Sequence, residues 1–326
     1  MYAALASSSM AVDIDLGGCR GFDYNGRFSP FLIVVLAAMK PHFSIHTAVL
    51  ETADQRISYR LYRNRYSEQG RRLLLLHGAG VAGEDSWEHL VNHLQGWHEV
   101  LVPDLRGMGE TVDLDASERG YRVEEVVGDQ ICLLDHLGWW AFDLGGYSFG
   151  GLVCMLLKQQ FPHRVHKQYL LESALVDRSA IAEVIANRQR YSDIAQLLRE
   201  SDDPEVSVMR FLQAVAPNRI ASPRGDAISI ARLGRRPLGF ANALDAVTDA
   251  SQRLDRAQLF AEQGDVSSFV GGRSVEAMHI LNQELEQQLD HWRYHSVRGC
   301  DHSLPFQKPR QIALQMDADL EAYLCR

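Results

Sequence analysis

The chain lacks most of the features that would assign it to a specialised class. Its five cysteines, Cys19, Cys132, Cys154, Cys300 and Cys325, are odd in number, widely spaced and form no C-x-x-C pair. That excludes a disulfide framework or a zinc ribbon, and it fits a reducing, cytoplasmic setting. Basic residues are scattered and outnumbered: 33 Lys and Arg stand against 42 Asp and Glu, a net charge of −9. No stripe forms of the kind nucleic acid requires, and a mildly acidic surface serves solubility without naming a substrate. Long apolar runs are also missing. Phe31–Met39 (FLIVVLAAM) falls well short of the ~20 residues of a spanning helix, so no stable membrane insertion is expected. Asp13, Asp15 and Asp23 precede that run, beside only Arg20 and Arg27, where a secretory signal would be basic. Residues 1–45 read as an extension of unspecified structure, with Met39-Lys40-Pro41 resembling a second beginning. Repeats and low-complexity tracts are absent, the adjacent Asp301-His302 pair lacks the helical spacing of zinc-binding histidines, and neither metal nor cofactor is implied.

What is present alternates. His46–Glu51 and Arg56–Tyr62 read as short strands around Thr52–Gln55. Arg72–His77 (RLLLLH) is a continuous apolar run halted by glycine, the pattern of a strand buried on both faces. His98–Pro103, Phe142–Tyr147 and Gln168–Leu171 repeat it, separated by helical periodicities at Ser86–Gln95, Val123–Leu137 and Phe149–Phe161. Strand and helix in alternation predict a mostly parallel central sheet covered by helices on both faces, a core spanning 46–175. Over 176–249 the strands stop. Ile181, Val184, Ile185, Ile194, Leu197 and Leu198 recur at helical spacing, and Pro204, Pro217, Pro223 and Pro237 divide the region. This is a helical insertion. The core then resumes over 250–326 with strands at Val266–Gly271 and Trp292–Val297 and helices at Val275–Leu289 and Pro309–Leu324.

Gly146-Tyr147-Ser148-Phe149-Gly150 carries the chemistry. A serine hydroxyl attacks a carbonyl only if it projects freely toward substrate beside a base. A sharp strand-to-helix turn achieves that projection, and it crowds the flanking positions, hence the glycines. The apolar strand before the motif and the helical pattern of Leu152, Val153, Leu156 and Leu157 after it fit the turn. The helix N-terminus also favours negative charge developing nearby. A glycine-rich turn in a nucleotide-binding sheet is the rival reading, disfavoured on the expectation that no G-x-G-x-x-G or Walker pattern opens the first helix, and further by two other segments. His77-Gly78-Ala79-Gly80 follows the first buried strand, and Pro103-Asp104-Leu105-Arg106-Gly107-Met108-Gly109 follows the second.

Together these segments resemble the α/β-hydrolase family, particularly its lid-bearing esterase and lyase-like members, from about Ile57 to the C-terminus. The resemblance implies that the insertion is a lid over the site, and that the Ala79 and Phe149 amides form the oxyanion hole. Glycines around Ala79 would let those amides approach a substrate oxygen. Asp104 and Arg106 read better as loop braces than as chemical groups. Of the 13 histidines, position selects His302, because in this family the acid and the histidine follow the serine in that order. Arg298-Gly299-Cys300-Asp301-His302, leading to Gln307-Lys308-Pro309, resembles the family's G-x-x-H-x-x-x-x-E/Q-x-P segment. His291 and His295 lie before or inside the strand. The acid departs from pattern. Where the family carries aspartate after its seventh strand, this chain has Val270-Gly271-Gly272-Arg273-Ser274. Some members place the acid after the sixth strand instead, which here falls on Glu172; Glu276 and Asp265 remain open.

These residues predict cleavage of a small-molecule ester or related acyl compound through a Ser148 acyl-enzyme, with His302 as general base and Glu172 orienting it. A carbon–carbon hydrolase, lyase or cofactor-free oxygenase, or a ligand-binding protein without turnover, would use the same scaffold, since fold does not fix function. A homodimer stays open. The insertion carries Arg188, Arg190, Tyr191, Arg219, Arg224 and Arg232. Solvated helix faces account for these better than an acidic ligand does.

Overall fold

The computed structural model describes residues 42–67, 69–201 and 203–326. Cys19 and the apolar run at Phe31–Met39 lie outside them. Strand β1 (Phe43–Glu51) starts inside the predicted extension and pairs antiparallel with β2 (Gln55–Asn64). The remaining strands are β3 (Arg72–Leu76), β4 (Glu99–Pro103), the two-residue β5 (Val112–Asp113), β6 (Phe142–Tyr147), β7 (Val165–Leu171), β8 (Asp265–Gly271) and β9 (Trp292–Val297). Their order is β1-β2-β4-β3-β6-β7-β8-β9, with β5 on β2. From β4 through β9 every pairing is parallel. In this order β7 and β8 occupy the places of the family's sixth and seventh strands.

Alternating side chains divide the strands between two cores. Leu74 and Leu76 of β3, Leu101 of β4 and Leu170 of β7 enter one; Leu73, Leu75, Val100, Val102 and Leu171 enter the other. The first core is closed by α2 (Val123–His136), α3 (Phe149–Gln160) and α9 (Glu276–Gln288), which supply Leu133, Leu134, Leu152, Leu156, Leu281 and Leu285. The second is closed by α1 (Gly83–Val91) and α11 (Pro309–Leu324) through Trp87, Leu90, Ile312, Met316 and Leu320. Each fully buried leucine stabilises the fold by roughly 1.5–3 kcal/mol, so a run with four of them can only be a central strand. The polar Asp143 inside β6 is accommodated because Arg71 Nε and Trp97 Nε1 both donate to its Oδ2, each at 2.8 Å.

Strand β3 lies between β4 and β6, so the chain leaves β3 toward one edge for β4 and then crosses to the other side for β6. Such a reversal opens a crevice beyond the carboxyl ends of the strands. The loop after β3 and the turn after β6 border it.

Between β7 and β8 run α4 (Ile181–Glu200), α5 (Glu205–Val215), α6 (Pro223–Leu233), α7 (Pro237–Arg253) and the short α8 (Arg256–Ala261). Three of the four prolines mark helix starts: Pro204 caps α5, while Pro223 and Pro237 open α6 and α7, where a missing N–H costs nothing. The helices share a core of their own, in which Tyr191, Ile194 and Leu198 of α4 meet Phe211 of α5 and Phe240 and Leu244 of α7. A one-turn helix, α10 (Leu304–Gln307), precedes α11.

Candidate active site

The turn between β6 and α3 holds Ser148 at φ +51°, ψ −114°, a conformation that costs a non-glycine residue of order 1–3 kcal/mol. Its neighbours hold it there. Ser148 N donates to the Leu171 carbonyl at 3.0 Å, and its own carbonyl accepts from Ala174 N at 2.9 Å and Gly151 N at 3.1 Å. The flanking glycines are steric requirements. A Cβ on Gly146 would lie 2.6 Å from the Gly150 carbonyl oxygen, and one on Gly150 would strike the carbonyls of Leu76 and His77.

His302 follows β9 and is 5% exposed. Its loop is fixed by Gln307, whose Oε1 accepts from Asp301 N at 3.0 Å while its Nε2 donates to the Asp301 carboxylate at 3.1 Å. That lock explains the glutamine of the histidine segment. His302 Nδ1 donates to Glu172 Oε2 at 2.7 Å. A carboxylate only accepts, so the proton sits on Nδ1 and Nε2 is left as the basic nitrogen. The other oxygen, Glu172 Oε1, accepts from Gly271 N at 2.7 Å and from Ser274 Oγ at 2.5 Å. Serine, where the resemblance would place aspartate, is therefore a partner of the Glu172 carboxylate. Glu172 itself has φ +42°, which turns it out of the strand it ends.

The other carboxylates considered stand elsewhere. Asp265 begins β8, at the end of that strand away from Gly271, and pairs with Lys167 and Arg326. Glu276 is exposed at the first residue of α9. His295 Nε2 is held by Asp319 at 2.7 Å. Asp104 braces loops, accepting from Gly83 N at 2.8 Å and Glu110 N at 3.0 Å, and Arg106 clamps Asp129 with two bonds of 2.8 and 2.9 Å. His77 is sealed in the core. Its Nδ1 donates to the Gly78 carbonyl at 2.7 Å and its Nε2 accepts from Leu105 N at 2.8 Å. Burial holds its pKa below the usual imidazole value.

The expectation that no G-x-G-x-x-G pattern opens the first helix is wrong: Gly78, Gly80 and Gly83 have that spacing of dinucleotide sites, and α1 starts at Gly83. Here the spacing serves packing. Gly80 abuts the side chains of Phe240 and Leu233, and Gly83 abuts the Pro103 carbonyl. Asp104, placed where a ribose-binding acid would stand, has both oxygens engaged by backbone amides.

Ser148 and His302 lie where two cavities meet, one of about 70 Å³ and one of about 400 Å³. Among the described residues no hydrogen bond joins the two side chains; catalytic bonds commonly tighten only with substrate in place. The Tyr147 ring lies 5.2 Å from the imidazole. The Ala79 and Phe149 amides donate to no protein acceptor among the described residues, and both residues line the smaller cavity. A serine, an imidazole oriented by a carboxylate and two unengaged amides thus border one space. No candidate residue named from the sequence for the oxyanion donors, base or nucleophile lies away from it.

A sequence profile described as alpha/beta hydrolase fold matches residues 71–209. Over 181 residues the chain is 26% identical to pyrrolizixenacetamide deacetylase of Xenorhabdus hominickii, covering 56% of this chain and 63% of that protein. It is 33% identical over 101 residues to epoxide hydrolase 4 of Mus musculus, covering 31% of this chain and 28% of the other. The chain thus spans less than two-thirds of the length of these curated relatives. A solved structure from a study of Nitrososphaera gargenis carboxylesterases superimposes with a TM-score of 0.67 at 18% identity, covering 85% of this chain and 99% of that one. Sheet order, the strand-to-helix turn at Ser148, profile and structural likeness agree: the chain has the α/β-hydrolase fold.

Proposed function

We propose that this protein is a serine hydrolase that cleaves carboxylic esters or related acyl compounds. The observation that carries this reading is the 2.7 Å bond between His302 Nδ1 and Glu172, in a residue pair that borders the cavity of Ser148. It leaves His302 Nε2 as the base. As the Ser148 oxygen attacks the substrate carbonyl carbon, its proton passes to that nitrogen and the carbonyl oxygen becomes an oxyanion. The Ala79 and Phe149 amides donate to the oxyanion. When the tetrahedral intermediate collapses, His302 returns the proton to the leaving alcohol and an acyl-enzyme remains. Water then repeats the cycle, giving its proton to His302 and its hydroxyl to the acyl carbon. Helices α4–α7, which contribute walls to both cavities, serve as the cap that shapes the substrate site.

A fluorophosphonate probe is expected to label Ser148 one to one, and Ser148→Ala to abolish both labelling and hydrolysis of a chain-length panel of chromogenic esters. A protein inert to the probe and to every ester would overturn the assignment. Inertness to esters with Ser148 and His302 still required for cleaving a β-diketone would move it to carbon–carbon hydrolysis.

A further inference from the structure

Of the arginines expected on solvated helix faces, Arg188 is a departure: it is 9% exposed. It lies in α4, and its residue lines the smaller cavity together with Ser148 and Phe149. The other buried guanidinium among the described residues, that of Arg106, has a carboxylate partner in Asp129. Arg188 has none within 4 Å among the described residues. Its Nη2 donates to the Leu244 carbonyl at 2.8 Å and its Nε to Thr248 Oγ1 at 3.3 Å, which ties α4 to α7. Its plane lies over the Tyr191 ring, 4.4 Å from the centroid. These contacts fix the fork in direction but do not neutralise it. Nη1 has no protein acceptor among the described residues, and Arg188 lines the cavity. A desolvated cation with no carboxylate in direct contact is a costly arrangement in a protein interior, only partly offset by Asp177 and Asp245 at a distance, and a rigid fork matches a carboxylate well.

We propose that Arg188 recognises a carboxylate on the acyl portion of the substrate, so that the preferred substrates are esters of short dicarboxylic acids. This rests on the reading of Ser148 as nucleophile. The portion follows from the order of events: the leaving group departs first and belongs in the roomier cavity, while the acyl group stays in the chamber of about 70 Å³. That space equals about five waters and suits a chain of a few carbons. Asp177 also lines this chamber; one of its oxygens meets Arg178 Nε at 3.2 Å, and the other is buried without a partner. Its charge opposes a dianion such as phosphate about twice as strongly as a monoanionic head.

The test compares kcat/KM for the monophenyl esters of succinate, glutarate and adipate with that for phenyl esters of neutral acids of equal length. At least one hemiester is expected to exceed its neutral counterpart by ~10- to 100-fold, the range of a desolvated charge-assisted pair. In Arg188→Met that ratio is expected to fall toward one, and in Arg188→Lys to a value between. Glutarate binding to the Ser148→Ala protein, followed by calorimetry, supplies a readout without turnover and is expected to vanish when Arg188→Met is added. Should either arginine variant fail to fold, the wild-type ratio and the wild-type glutarate titration decide alone. Equal rates for charged and neutral esters, with no glutarate binding, overturn the Arg188 assignment and leave the serine hydrolase reading standing. Arg188-dependent glutarate binding without turnover of any ester does the reverse.

Discussion

Replacing Glu172 by glutamine tests the site most sharply, because the surrounding donors dictate how the amide must sit. Glu172 Oε1 faces Gly271 N–H and the Ser274 hydroxyl, and Oε2 faces His302 Nδ1. An amide has one accepting oxygen and one donating nitrogen. The Ser274 hydroxyl can rotate and accept; the backbone N–H of Gly271 cannot. The amide oxygen is therefore held at the Gly271 side, and the NH₂ is forced against His302. The imidazole must then accept at Nδ1 and carry its proton on Nε2, which leaves nothing to receive the proton of Ser148. The expected loss in kcat is about 10³- to 10⁴-fold, or ~4–5.5 kcal/mol on the barrier. The shape of the side chain is kept, so the thermal midpoint should move only slightly. Steady-state hydrolysis of a chromogenic ester, run beside a circular dichroism melt, measures both, with Glu276→Gln as the control expected to retain full rate. Activity of Glu172→Gln within tenfold of the parent, or a rate loss matched by unfolding, would refute the reasoning; loss in Glu276→Gln instead would relocate the acid.

Two further outcomes follow from neighbouring groups. Ser274→Ala removes one donor from a buried carboxylate while leaving Gly271 and His302, so stability should fall by ~1.5–3 kcal/mol in urea titrations, with a rate loss far smaller than that of Glu172→Gln; an unchanged midpoint would show the hydroxyl bond to be unimportant. His77 gives a pH dependence whose sign is fixed by its folded pKa lying below the free value. The unfolded chain takes up a proton there as pH falls through about 6.5 and the folded chain resists, so stability declines toward acid by up to ~1.4 kcal/mol per pH unit. His77→Gln, which keeps an acceptor for Leu105 N but cannot charge, should show a shallower slope between pH 6 and 5, and identical slopes would sink the argument.

The central strand at Leu73–Leu76 was legible in the sequence because burial on both faces demands an unbroken apolar run, and Phe142–Tyr147 and Trp292–Val297 match their strands residue for residue. The β7 strand begins earlier than Gln168, at Val165, because His166, Lys167 and Gln168 conceal it. Lys167 is buried yet paired with Asp265 and Ser267, a tertiary arrangement that no local pattern announces. The strand-to-helix turn at Ser148 could be read because its backbone constrains the residues it accepts. The interior of the insertion could not be divided into helices, since α4 mixes apolar and charged residues and its only register is set by packing on α7. Arg188 was misjudged for the same reason. A charged residue at helical spacing looks the same whether its face meets water or a cavity.

With Glu172 as the proposed acid, the scaffold absorbs a departure from pattern. Strands β7 and β8 are parallel neighbours, with Leu171 opposite Phe269. Glu172 N extends that pairing by donating to the Phe269 carbonyl at 3.0 Å, while Leu171 accepts from Ser148 N at the nucleophile turn. Glu172 thus lies on a backbone ladder joining the serine's turn to the strand end where the usual aspartate would stand. Its left-handed backbone and extra methylene carry the carboxylate across to His302, and the vacated position supplies a hydroxyl to hold it. A histidine needs an acceptor at Nδ1 in a fixed direction, and it does not matter from which strand that acceptor comes. What the exchange requires is a donor set that leaves one carboxylate oxygen for the imidazole. Gly271 N–H and Ser274 Oγ, both on Oε1, provide that division.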